Sequence, residues 1–115
     1  VQLGLSGGEP TVRQDLEAII AGASRLGFYS NLITAAAGLD ADRLAAFKAA
    51  GLDHVQVSFS GADQPLNDLI TGTASFAAKL AIATEVKRLG YPMVLCFVLH
   101  RANIHQIDEI LRLSE

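Results

Sequence analysis

The sequence predicts an α/β fold built from four consecutive parallel strand–helix units, a partial TIM-type barrel. Three observations lead there. Three times a helical stretch stops at a glycine and a new strand follows at once: Leu26-Gly27-Phe28-Tyr29, Ala50-Gly51-Leu52-Asp53 and Leu89-Gly90-Tyr91-Pro92. Glycine past a helix end adopts the left-handed conformation without a Cβ clash. Strands alternating with helices of this length imply parallel pairing through crossover helices. Finally, the strands carry polar residues on one parity, whereas a doubly wound sheet buries both faces and favours apolar residues on both.

The strands are expected near 1–5, 28–34, 54–59 and 93–99. In the third, Val55, Val57 and Phe59 share one parity and His54, Gln56 and Ser58 the other; in the first, Val1, Leu3 and Leu5 oppose Gln2, Gly4 and Ser6. Alternate side chains point to opposite faces. The apolar set should meet the helices, and the polar set should line the inside of a curved sheet.

The first helix is expected from Thr11, whose spacing to Gln14 is that of a capping box. Val12, Leu16, Ile19, Ile20, Ala23 and Leu26 then share a face. The second runs from an Asp40 cap to Ala50 and buries Leu44 and Phe47. The third runs from about Ser75 to Leu89, with Phe76, Leu80, Ala83 and Val86 inward and Lys79, Glu85 and Lys87 solvated. The last begins at an Asn103 cap and carries Ile104, Ile107, Ile110 and Leu111. The segment 60–68 reads as a long loop on the functional face.

Composition narrows the function. With 115 residues, half of them hydrophobic, the chain suits one domain with a real core. A net charge of −3 and a pI near 5.5 argue against nucleic acid or an anionic membrane as main partner. No apolar run reaches the roughly 18 residues of a spanning helix, and cytoplasm is the default expectation. One cysteine, Cys96, excludes an internal disulfide and any metal site built on several cysteines. It reads as a small core residue. The opening at Val1, inside a strand, and the close at Glu115, inside a helical pattern, suggest a single piece (1–115) of a longer protein.

The sharpest motif is Ser6-Gly7-Gly8-Glu9-Pro10, between the first strand and the first helix. Ligands of parallel α/β folds bind at the carboxyl ends of strands. Two glycines allow close approach to the backbone. Glu9 adds a negative charge, and Pro10 keeps it out of helical geometry. The combination suits a group with several N–H donors, such as an ammonium. Read alone, it also suits a plain tight turn before a helix. A phosphate loop is a poor alternative, since no Gly-Lys-Ser/Thr follows and Glu9 would repel the anion.

A strand ending in Gly7-Gly8-Glu9-Pro10 resembles the second strand of the radical S-adenosylmethionine superfamily. Segments 30–34, 51–59 and 98–104 are similar, within it, to the family of pyrroloquinoline quinone biosynthesis protein E. The resemblance implies half of that superfamily's barrel, with Gly7, Gly8 and Glu9 holding the amino group of S-adenosylmethionine. It also places Ser58 and a polar residue of the second strand near the cofactor. Asn31 and Thr34 both qualify for the latter; their parities differ, and Asn31 is the choice. His100 and Arg101 are candidates for the cavity or the substrate, and Asn103 for a helix cap.

The resemblance further implies a 4Fe–4S cluster chelated by S-adenosylmethionine. Reductive cleavage would give a deoxyadenosyl radical that takes hydrogen from a peptide, joining a glutamate and a tyrosine side chain. The precursor peptide and a peptide chaperone would be the partners. The Cys-x3-Cys-x2-Cys cluster segment and the cysteine-rich auxiliary-cluster region do not occur in these residues. This stretch alone is therefore expected to hold no metal ligand, to perform no turnover and, with open sheet edges, to pair as a homodimer. Another peptide-modifying radical enzyme and a noncatalytic half-barrel are the competing readings.

Overall fold

The computed structural model describes all residues, 1–115. Four strands form one parallel sheet in sequence order: β1 (Gln2–Leu5), β2 (Tyr29–Thr34), β3 (His54–Phe59) and β4 (Met93–Phe97). Five α-helices accompany them: α1 (Leu16–Arg25), α2 (Ala41–Ala50), α3 (Gln64–Thr71), α4 (Phe76–Arg88) and α5 (Ile107–Leu113). Parallel strands in sequential order with a helix after each are the arrangement of a partial TIM-type barrel. The expected fold class therefore holds.

The register fixes what shares a level. Leu5 pairs with Leu32, Leu32 with Val55 and Val55 with Met93. One face of the sheet is thus a row of apolar side chains, continued upward by Val57 beside Leu95 and Phe59 beside Phe97. Phe59 stacks on Phe97 at 5.5 Å and meets Phe76 of α4 edge-on at 5.9 Å. Leu16 and Ile20 of α1, Leu44 and Phe47 of α2, and Ile82 and Val86 of α4 close over this face. Each fully buried side chain of this size stabilises the fold by roughly 1.5–3 kcal/mol. The opposite parity, Gln56 and Ser58 among it, is only partly covered. The expected division into a helix-facing and a wetter face is present.

Three helix stops fall on glycine as predicted, with positive φ at Gly27, Gly51 and Gly90. Asp40 caps α2 by accepting from the Arg43 N–H at 2.8 Å. Behind α2, the Tyr91 hydroxyl donates to the Leu44 carbonyl at 2.9 Å, and burial pushes this phenol's pKa up.

Four expectations are corrected. No helix starts at Thr11: residues Pro10–Val12 form a single 3₁₀ turn, Val12 is exposed, and α1 begins at Leu16. Thr11 is buried and bonds to Glu9 rather than forming a capping box. The segment 60–68 is not all loop, because α3 starts within it at Gln64. Asp63 caps α3, accepting from the Leu66 N–H at 2.9 Å, and Pro65 stands in its first turn, where a missing N–H costs nothing. Asn103 does not cap a helix through its side chain. It is fully buried, accepts from the His100 N–H, and donates to the Ser60 and Val98 carbonyls. It therefore ties the ends of β3 and β4 together. Lastly, Lys79 is not solvated; it is 3% exposed.

Candidate functional site

The site is built on the loop after β1. Pro10 forces the residue before it out of helical geometry, and Glu9 is accordingly extended, with φ −133° and ψ 109°. That conformation directs the carboxylate across to the end of β2. There Oε1 accepts from the Thr11 N–H at 3.2 Å and from the Thr34 hydroxyl at 2.7 Å. The Thr11 hydroxyl lies 2.7 Å from the same oxygen and 2.9 Å from the Ala37 carbonyl. Oε2 accepts from the Ala35 N–H at 2.8 Å. Thr34 in turn accepts from the Ala36 N–H at 2.9 Å.

Glu9 is thus a fixed anion that staples β1 to β2 at their carboxyl ends. Arg43 of α2 supports the staple from behind. It pairs with Glu17 at 2.9 Å and donates to the Thr11 and Arg13 carbonyls. The 3₁₀ turn carrying Thr11 is held on both sides, and the loop before it has a defined position.

The loop itself stays open. Gly7 takes φ +131°, which an ordinary residue resists. A Cβ at Gly4, Gly7 or Gly8 would meet nothing within 4 Å. The backbone N–H and C=O groups of Gly7 and Gly8 find no partner in the chain. Oε1 of Glu9 is crowded with donors, whereas Oε2 accepts only from Ala35. A carboxylate oxygen has room for two. Unused carbonyls, a bare glycine surface and one free acceptor beside a fixed negative charge fit an incoming ammonium group. These residues therefore fit the amino end of an amino-acid cofactor.

Ser58 stands on β3 level with Cys96 of β4, next to the last residue of its strand. All four strands are parallel, so Ser58 and the Gly7–Glu9 loop share the carboxyl rim. The Ser58 side chain is partly exposed. Asn31 is not brought to this rim. It pairs with Gly4 and with His54, the first residue of β3, and its Oδ1 lies 2.7 Å from His54 Nδ1. The polar residue of β2 that reaches the loop is Thr34. His100 and Arg101 follow β4 and are exposed, with the His100 N–H bound to Asn103. No group of three or more His, Cys, Asp or Glu side chains is arranged to hold a metal ion.

Thr34 carried a readable signal: it closes the strand, and a carboxyl-end position is where a loop group is met. Its parity pointed to the helices, and it does face them; it reaches Glu9 only because Glu9 reaches back. Lys79 was also legible, since it lies three residues after Phe76 and four before Ala83, on the apolar stripe of α4.

Residues 1–114 match the family model of the Radical SAM superfamily. The chain belongs to the radical SAM superfamily. Members of that superfamily generally use S-adenosylmethionine with a 4Fe–4S cluster. The cluster's cysteine ligands are not among the residues of this radical SAM chain, because Cys96 is its only cysteine and lies inside β4. No single helix is long and apolar enough to cross a membrane.

Proposed function

We propose that this radical SAM chain is the S-adenosylmethionine-binding part of an enzyme of pyrroloquinoline quinone biosynthesis, one that joins the glutamate and tyrosine side chains of a precursor peptide. The observation that carries the binding role is the open Gly7-Gly8 backbone beside the Glu9 carboxylate, which is fixed by Thr11, Thr34 and Ala35. The pathway rests on the similarity of segments 30–34, 51–59 and 98–104 to that family.

When bound to its cluster, S-adenosylmethionine supplies the means to remove a hydrogen atom from an unactivated carbon. The chain's own residues bind and orient. Gly7 and Gly8 present carbonyls to the ammonium, Glu9 balances its charge, and Ser58 offers a hydroxyl on the same rim. A charge-assisted hydrogen bond of this kind contributes roughly 1.5–3 kcal/mol. His100 and Arg101, exposed beyond β4, are the residues we assign to the cavity or the peptide substrate, and the peptide and its chaperone are the partners this reading expects. The compartment we assign is the cytoplasm.

The test is anaerobic. The protein together with its cluster-binding segment is reconstituted with iron and sulfide, reduced, and mixed with S-adenosylmethionine and a glutamate- and tyrosine-bearing precursor peptide. The reading expects 5′-deoxyadenosine and a peptide lighter by two hydrogen atoms. Cofactor cleavage with an unchanged peptide would remove the pathway and leave the superfamily role; no cleavage would remove both.

A further inference from the structure

The larger cleft of the molecule, about 490 Å³, adjoins the Glu9 staple but does not contain Gly7 or Gly8. One wall is the loop after β2, residues Ala35 to Gly38; the other is the junction of α3 and α4, from Thr71 to Lys79. A cleft of that size suits a small molecule. Half of its ten lining residues are alanines, with the hydroxyls of Thr71, Thr73 and Ser75 among them.

Lys79 lines this cleft and is 3% exposed, yet it makes no hydrogen bond and no ion pair. Its ammonium lies 5.8 Å from the centre of the Phe59 ring. Burial pushes the Lys79 pKa down, and the more distant charges of Asp68 and Glu9 oppose that only in part. No buried side-chain nitrogen or oxygen lacks a partner, so the unbonded Nζ keeps contact with the solvent of the cleft, where a counter-ion can reach it. Beside it, the first turn of α4 contributes further positive character. The Ser75 and Phe76 N–H groups are already taken by Asp68, whereas the Ala77 and Ala78 N–H groups have no acceptor in the chain. Ala36, on the facing wall, sits at φ +66°, a conformation that a residue with a Cβ rarely adopts.

We propose that this cleft binds a small aliphatic carboxylate, with Lys79 as its counter-ion. The alanine walls take the aliphatic part, and the Thr73 and Ser75 hydroxyls and the Ala78 N–H complete the shell of the carboxylate; the Thr71 hydroxyl already donates to the Asn67 carbonyl. A single negative charge is favoured. One ammonium faces the cleft, and the carboxylates of Glu9 and Asp68 nearby disfavour a phosphate dianion. This site is independent of the pathway assigned above, and its test requires neither cluster nor S-adenosylmethionine.

The test is an NMR titration of the protein with sodium butyrate, following the alanine methyl groups and the Lys79 side chain. Saturable shifts at Ala36, Ala78 and Lys79 are expected. Lys79→Met and Lys79→Gln variants should bind roughly tenfold more weakly or worse, the loss expected for one charge-assisted bond, while their methyl spectra stay dispersed. Norleucine, which carries an amino group beside its carboxylate, is the second probe. Tighter binding of norleucine identifies an amino acid as the source of the carboxylate, and tighter binding of butyrate identifies a lone acid group. An unmoved Lys79 resonance in the unsubstituted protein overturns the proposal, even if both variants fail to fold. So does stronger binding of inorganic phosphate, or equal affinity in a folded variant.

Discussion

Glu9 does two jobs with one carboxylate. It accepts from Thr11, just after it in the chain, from Thr34, the last residue of β2, and from Ala35 beyond that strand, and it keeps one acceptor direction for a ligand. Thr34→Val removes a donor to Glu9 and leaves the Ala36 N–H, now bonded to the Thr34 hydroxyl, without an acceptor. The expected cost is about 1–3 kcal/mol, read from urea unfolding at unchanged slope. Gly61→Ala is a second test at this scale. Its Cβ would stand 2.8 Å from the Asn67 backbone nitrogen, which cannot swing aside. Overpacking of this kind destabilises by roughly 1–3 kcal/mol, and a neutral result by the same measurement would show that the loop after β3 is looser than described. The glycine-rich motif was legible from residue type alone. The preference for Asn31 over Thr34 was not resolvable without register, because only pairing shows that Asn31 is level with His54.

At the scale of elements, the junction of α3 and α4 hangs on Asp68. Its carboxylate accepts from the N–H groups of Ser75 and Phe76 and from the Asn67 amide at 2.9–3.0 Å. These bonds, that of Ser75 first, hold its pKa below the usual carboxylate value, with burial opposing. The folded value is depressed, so the stabilisation is complete above the ordinary carboxylate range. It fades as pH falls through the lower, folded value. Hydrogen exchange at Ser75 and Phe76 should therefore accelerate, relative to the rest of α4, as the solution is acidified below that range. In Asp68→Asn the extra acid sensitivity should vanish. A pH-independent ratio in the unsubstituted protein would show that Asp68 is not what holds the junction. Helix α3 itself was hidden because it is eight residues long and polar at its start, too short for a periodic apolar stripe. Its Asp63 cap and Pro65 were the signals available. Helices α2 and α4 were plain from periodicity, whereas α1 was overextended because the 3₁₀ turn mimics a helix start.

At the scale of the whole molecule, the repeat of strand and helix was enough to give a parallel sheet, and alternation of polar and apolar residues its two faces, since burial on one side imposes a period of two. What alternation cannot give is what lies beyond the edge strands. Strands β1 and β4 have free edges, and near β4 the side chains of Val98, Leu99, Ile104 and Leu111 are exposed. Free edges and apolar surface recruit further chain. We propose that these residues, on their own, pair as a homodimer; sedimentation should show a dimer, and a clean monomer at high concentration would contradict it. The central claim concerns the carboxyl rim, where open glycine carbonyls and one anchored carboxylate await an ammonium. Calorimetry of S-adenosylmethionine against the protein and a Glu9→Gln variant, both confirmed folded, tests it most directly. Affinity at least about tenfold weaker in the variant is the predicted result; equal affinity would contradict it.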